Sequence, residues 1–248
     1  MTASLIDLHS HVLPGLDDGA ATLDEALEMC AAVAADGVEI LVATPHVRAA
    51  DYPTTPEQME TALAELQAAD PPVQVLPGGE LDLEELDRPG EELARFGLGG
   101  TTALLVETPY LGWPLDLAER MFRLQVQGFR PVLAHPERNP DVQERPELLE
   151  PIVDGGTLVQ VTAASVEGRV GRRARGAARR LLELGLVHVL ASDAHTPGVR
   201  AAGLTGAVNA IGDDRLARWL TVDVPGAILA GSDVPPRPAR ARRGFFRR

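Results

Sequence analysis

The chain has 248 residues, 45% hydrophobic and 24% charged, with a formal net charge of -13 at pH 7. That composition excludes a disordered chain and supplies enough apolar side chains for one enzyme-sized core. Every basic residue is arginine, and six of the 23 (Arg237, Arg240, Arg242, Arg243, Arg247 and Arg248) fall in the last twelve positions, leaving a body so acidic that it should repel nucleic acid.

No stretch approaches the roughly 18 apolar residues of a membrane-spanning helix, and no basic region followed by an apolar run opens the chain. The single cysteine, Cys30, has no partner for an internal disulfide. The expectation is a cytoplasmic protein. We expect one domain over residues 1–234 and an arginine-rich, flexible tail over 235–248.

Seven apolar runs recur in chain order: LIDLHSH, EILVATPH, VQVLPGGE, TALLVETP, RPVLAHPE, LVQVTAAS and HVLASDAH. Continuous apolar runs of this length predict strands buried on both faces. Stretches with helical spacing follow them. The first, TLDEALEMCAAVAADG, carries Thr22 and Glu25 as a capping box and Gly37 as a stop; the second, PEQMETALAELQAAD, has Pro56 near its start. Seven strand-helix units predict a parallel sheet with crossover helices, closed as a barrel or left open.

Six of the seven runs end in polar residues of one kind. They are His9 and His11, His46, Glu80, Glu107, His135, and Asp193 with His195; Asp18 follows the first run in LDDG. In a strand, residues two apart point the same way, so the HSH pair presents two imidazoles to one point. A lone histidine after a strand is most often a hydrogen-bonded loop residue. Five histidines and several carboxylates on one rim are different, because they would be poorly solvated and mutually repelling without cations between them. His188 starts the seventh run, at the opposite end, and reads as structural.

Nine candidate ligands exceed the needs of one ion and suit two or three, with a carboxylate shared. Imidazoles and carboxylates without a thiolate suit zinc, manganese, iron or cobalt. Asp17 competes with Asp18, since both precede the turn glycine. With three divalent ions, the four carboxylates leave a positive site that fits a phosphate dianion, and bound metal lowers the pKa of water from about 15.7 to about 7, which supplies a hydroxide nucleophile. Phosphate ester hydrolysis follows. Arg138, in HPERNP, and Arg200, in SDAHTPGVR, are candidate phosphate clamps.

The order HSH, DDG, TPH, GGE, VETP, HPER and SDAH resembles the PHP superfamily. Within it, residues 5 to roughly 231 look most like the bacterial tyrosine-protein phosphatases encoded with capsule and exopolysaccharide systems. The resemblance implies a distorted (β/α)7 barrel with the metal site at the C-terminal strand ends. It implies His9, His11, Glu80 and Asp193 around one metal, Glu107 and His135 around a second with Glu80 bridging, and Asp18, His46 and His195 around a third. It also implies that Arg138 and Arg200 hold the phosphate, and that the partner is a phosphotyrosine protein such as a tyrosine autokinase of polysaccharide export. Related histidinol phosphatases usually carry a histidine where this chain has DDG, and often one in place of Glu107. A small-molecule phosphoesterase of that kind is the alternative; a metal-bound scaffold is a third reading.

Overall fold

The computed structural model describes residues 4–195 and 203–239. They form a mixed α/β fold built on parallel strands. Strands β1 (Leu5–Ser10), β2 (Val38–Ala43) and β5 (Gln74–Leu76) make one sheet in the order β1-β2-β5. A second sheet runs β10-β9-β8-β7-β6-β3-β4, with β3 His46–Arg48, β4 Tyr52–Pro53, β6 Glu80–Leu81, β7 Ala103–Glu107, β8 Arg130–Ala134, β9 Leu158–Thr162 and β10 Val189–Ala191. All pairs are parallel except β3 with β4. The two sheets meet where Ser10 bridges Ala194: the His11 N–H donates to the Ala194 carbonyl at 2.8 Å and the Asp193 N–H to the His9 carbonyl at 2.9 Å.

Two of the apolar runs are broken rather than continuous. Run two stops at Ala43 and restarts as β3 at His46 across Thr44-Pro45; run three stops at Leu76 and restarts as β6 at Glu80 across Pro77-Gly78-Gly79. His46 and Glu80 therefore begin short strands instead of following long ones, and they pair with each other in register. Proline removes a ladder donor, and the glycines permit close approach: a Cβ on Gly79 would stand 2.8 Å from the Phe96 ring. The short antiparallel β4 has no signal in the alternation of the sequence.

The crossover helices pack as their spacing predicts. Helix α1 (Leu23–Ala35) buries Ala26, Met29, Cys30 and Val33, and α2 (Pro56–Ala68) buries Met59, Ala62, Leu63 and Leu66. The capping box lies on the other helix. Thr22 accepts from the Glu25 N–H, but the Glu25 carboxylate accepts from the Ala21 N–H, one residue short of the cap. Thr55 and Gln58 make the full reciprocal pair ahead of α2. Strands such as β7 are buried on both faces, and the sheets carry the fully buried leucines Leu8, Leu41, Leu104, Leu105 and Leu133, each contributing about 1.5–3 kcal/mol by its burial.

His188 precedes β10, where its Nδ1 accepts from the Val159 N–H at 3.2 Å. Residues 235–239 lie against the body: the Pro235 carbonyl accepts from the Trp219 indole at 2.9 Å, and Arg237 donates to the carbonyls of Leu182 and Val187. The five arginines from Arg240 onward lie outside the described residues. No helix among the described residues is long and apolar enough to cross a membrane.

Candidate metal centre

The strand ends aim their side chains at one place by two devices. The first is the parallel register of β1, which carries His9, with His11 two residues on. The second is backbone turned left-handed: His135, just past β8, has φ 36°, and Asp193, just past β10, has φ 51°. Non-glycine residues rarely accept that conformation, which costs of order 1–3 kcal/mol and clusters at functional sites. Each is pinned by its own N–H, His135 to the Gln160 carbonyl and Asp193 to the His9 carbonyl, both at 2.9 Å. Gly19 closes the turn that brings Asp17 and Asp18 back over His11; a Cβ there would lie 2.0 Å from the His11 carbonyl oxygen.

The innermost contacts join His9, His11, Glu80 and Asp193, all essentially buried. His9 Nε2 lies 3.2 Å from His11 Nε2, 3.3 Å from Glu80 Oε2 and 3.4 Å from Asp193 Oδ1. His11 Nε2 lies 3.4 Å from Glu80 Oε2 and 3.3 Å from Asp193 Oδ1. An ion about 2.1 Å from each ligand separates neighbouring ligands by about 3.0–3.4 Å, the octahedral and tetrahedral limits. The protein alone holds its donors at the edges of such a polyhedron.

Hydrogen bonding behind the imidazoles fixes which nitrogens face inward. Asp17 Oδ2 accepts from His11 Nδ1 at 2.6 Å, and Gln160 Oε1 accepts from His9 Nδ1 at 3.0 Å. Neutral rings so arranged point two bare Nε2 lone pairs at each other across 3.2 Å. Glu80 Oε2, also buried, has no hydrogen-bond partner although His46 Nδ1 lies 3.1 Å away. Lone pairs and an unsatisfied carboxylate oxygen converging in a buried space fit a cation and little else.

Further donors surround this core. Glu80 Oε1 accepts from His135 Nε2 at 2.8 Å, so the one carboxylate spans two groups. The potential ligand sets are His9, His11 and Asp193; His9, Glu80 and His135; His46, Glu80 and Glu107; and His11, Asp18, His46 and His195. Asp18 Oδ1 is 3.1 Å from His195 Nε2 and 3.6 Å from His46 Nε2. Its side chain is 39% exposed against 1% for Asp193, so the Asp18 side is the open mouth.

The charge balance without ions is strained. Burial opposes ionisation of Glu80, yet His9 and His135 hold it well below the usual carboxylate range. Burial, and next the charge of Glu80, push Glu107 up to about 8. Burial opposes protonation of His11, but the Asp17 carboxylate outweighs it and raises the imidazole well above its ordinary value. Burial alone leads for His46, pushed down to about 4. These His/Asp/Glu clusters suggest divalent metal binding.

The comparisons with known proteins converge on the same chemistry. Residues 5–229 match the family model for capsular polysaccharide synthesis, CpsB/CapC. The chain belongs to the CpsB/CapC family. It is 32% identical to the tyrosine-protein phosphatase YwqE of Bacillus subtilis, over 98% of this chain and all of that one. It is 30% identical to the tyrosine-protein phosphatase CpsB of Streptococcus agalactiae, covering 84% and 89%. Among solved structures, the crystal structures of YwqE from Bacillus subtilis and CpsB from Streptococcus pneumoniae, which are metal-dependent tyrosine phosphatases, include a chain that superposes with a TM-score of 0.80 at 29% identity, covering 96% of this chain and 100% of that one. A β-aspartyl dipeptidase from Fervidobacterium islandicum shares the fold alone, at 13% identity and a TM-score of 0.54.

In this CpsB/CapC chain all nine expected ligands lie in one cluster. Asp17 and Asp18 separate: Asp18 faces His46 and His195, whereas Asp17 stands behind His11 and also accepts the N–H groups of His46 and Gly19, each at 2.9 Å. Glu107 groups with His46 and Glu80, and His135 with His9 and Glu80. Arg138 pairs with Asp193 and donates to Thr162 Oγ1 at 2.9 Å. Arg200 lies outside the described residues. Sequence reading missed Gln160, Arg48 and the two aromatic rings at the rim. Gln160 was findable, as the one large polar side chain inside the buried run LVQVT. Arg48 reaches Glu107 at 3.2 Å and carries Tyr52 under its guanidinium; Tyr52 stacks on His46 and Tyr110 on His135.

Proposed function

We propose that this protein is a metal-dependent protein-tyrosine phosphatase. The observation that carries the reading is the buried convergence of His9 Nε2, His11 Nε2, Glu80 Oε2 and Asp193 Oδ1 within 3.2–3.4 Å contacts, in a chain whose relatives are tyrosine phosphatases. His9, His11, Glu80 and Asp193 would hold one divalent ion, Glu107 and His135 a second with Glu80 shared, and Asp18, His46 and His195 a third. Manganese, zinc, iron and cobalt all suit the donor set. Bound there, such ions lower the pKa of water and offset the charge of a phosphoryl group.

The chain's own residues do the rest. Asp17 and Gln160 hold His11 and His9 with Nδ1 protonated and Nε2 inward. Arg138, fixed by Asp193 and Thr162, lies at the centre where a guanidinium can take phosphate oxygens in a fork, and Arg200 is the second clamp. The exposed Asp18 side admits the ester. We propose a distorted (β/α)7 barrel as the scaffold, a reading supported by two sets of parallel pairings, β1 with β2 and β2 with β5, and β3 through β6, β7, β8 and β9 to β10, which meet at Ser10 and Ala194. Residues 1–234 would carry the activity, with 235–248 as an extension. The substrate we favour is a tyrosine autokinase of polysaccharide export, in the cytoplasm; the family's link to capsular polysaccharide synthesis supports that choice.

The test is metal analysis of the purified protein beside hydrolysis of a phosphotyrosine peptide. We expect two or three divalent ions per chain, and loss of both metal and activity on chelation, restored by metal. Full phosphotyrosine hydrolysis by metal-free protein would overturn the reading.

A further inference from the structure

Next to the metal centre lies a cavity of about 510 Å3, lined by Tyr110, Arg138, Gln143, Val170, Arg172 and Arg173. Arg138 is common to both: its guanidinium pairs with Asp193, and its buried Nε has no hydrogen-bond partner. Tyr110 is common to both as well. Its ring stands against His135 with centroids 6.5 Å apart and planes 25° from parallel, and the residue is 50% exposed.

The far wall is basic. Helix Arg172–Leu184 begins at Gly171 without a side-chain cap and with no acid in its first turn. Arg172 and Arg173 are exposed, and neither has an acidic partner among the described residues. These two cations without an acidic partner put positive charge on this wall of a chain whose net charge is -13. Unneutralised charge around a concave site raises the local concentration of ligands of opposite sign.

We propose that this cavity is the subsite for the polypeptide flanking the scissile phosphotyrosine, and that it selects an anionic residue there, a carboxylate or a second phosphate. The proposal rests on the tyrosine phosphatase reading above. Tyr110 offers its exposed face to an aromatic ring entering the centre, in the offset or tilted packing that aromatic pairs prefer. Val170 gives apolar contact, and Arg172, Arg173 and the free N–H groups of the helix start meet the anion. Selection arises at the flank, outside the reacting atoms, so it acts through binding of the peptide.

The test uses the metal-loaded full chain on four substrates: a tyrosine phosphopeptide with neutral flanks, the same peptide with glutamates on both sides, the same peptide with a second phosphotyrosine nearby, and phenyl phosphate. We expect kcat/KM for the anionic peptides to exceed that for the neutral one by about fivefold to tenfold, and added salt to shrink the gap. In Arg172→Glu/Arg173→Glu the preference should invert. Glutamates suit the first turn of a helix, and Arg172→Gln/Arg173→Gln, in which the gap should close, is the milder second variant. Equal kcat/KM for neutral and anionic peptides in the unmodified protein overturns the subsite, as does a preference that survives charge reversal. A gain limited to the glutamate peptide assigns a carboxylate; one limited to the doubly phosphorylated peptide assigns a phosphate. Cleavage of phenyl phosphate with none of any peptide overturns the tyrosine phosphatase reading instead.

Discussion

Asp17 Oδ2 lies 2.6 Å from His11 Nδ1 and also accepts the His46 N–H at 2.9 Å, so one carboxylate sets the tautomer of one candidate ligand and the backbone of another. Asp17→Asn can present an N–H where His11 Nδ1 needs an acceptor. We expect the fold to persist and metal affinity to fall by about 10- to 100-fold, the usual effect of removing such a supporting partner. Competition against a chelator of known affinity measures it. Asp18→Asn, at the mouth, should weaken only the outermost ion. Equal affinity in Asp17→Asn and the parent protein would return Asp17 to a merely local role.

What the sequence showed and hid follows from the range of the interactions. The HSH pair was legible because strand geometry alone puts residues two apart on one side, and His135, Glu107 and Asp193 because apolar runs end visibly. The breaks at Thr44-Pro45 and Pro77-Gly79 were less so, since TPH and GGE read equally well as strand ends. The choice between Asp17 and Asp18 could not be read from spacing, because it turns on Gly19 folding the turn against the His11 carbonyl. Arg48 ends β3, a strand of three residues too short to show a period, and Tyr110 sits in the loop after β7; only tertiary packing brings them to Glu107 and His135.

Ligands and clamp should separate in their effects. His135→Ala takes away the partner of Glu80 Oε1, and Asp193→Ala takes away a carboxylate shared by His9, His11 and Arg138. Both should lose bound metal and nearly all turnover. Arg138→Ala should keep metal but raise the barrier by roughly 2 to 4 kcal/mol, the scale for deleting one preorganised donor. Arg200→Ala should behave likewise. Metal content and kcat/KM on the same preparations decide this; normal kcat/KM in Arg138→Ala takes that residue out of the reaction.

Cys30 should be irrelevant to turnover. It is fully buried in α1, and burial pushes its thiol up to about 11, far from the thiolate a nucleophile requires. Cys30→Ser should retain activity and lose about 1–3 kcal/mol of stability through a buried hydroxyl. Activity that resists chelation yet disappears in Cys30→Ser would point to thiol chemistry.

His188 provides a pH signature away from the metals. Burial, and next the charge of Arg237, push its imidazole down to about 4, whereas the unfolded chain titrates near 6.5. Between those values the unfolded state binds the additional proton, so stability rises with pH across this window. The contribution is therefore full above about pH 6.5 and lost as pH falls to about 4, with a size of about 2 kcal/mol once partial solvent contact is allowed for. Denaturant melts of the parent and His188→Gln at pH 7 and pH 5, with equal metal loading, should differ less at pH 5. A constant difference would refute the linkage.

The preferred ester can be argued from proton supply. The chain has six histidines; five lie in the candidate metal centre and His188 is at the far end of the strands. Of the acids nearby, Asp17 holds His11, and Glu137 accepts the Thr162 N–H through Oε1 at 3.1 Å while its buried Oε2 has no hydrogen-bond partner. No imidazole is left to protonate a leaving group. A phenol, with a pKa of about 10, departs with little help, whereas an alkoxide is far more basic. Phosphotyrosine peptides and phenyl phosphate should therefore be cleaved well, and phosphoserine peptides and histidinol phosphate much more slowly. The slope of kcat against leaving-group pKa across substituted phenyl phosphates reports the missing acid, and should be steep. A flat slope, with histidinol phosphate the best substrate by kcat/KM, would favour a small-molecule phosphoesterase over the tyrosine phosphatase.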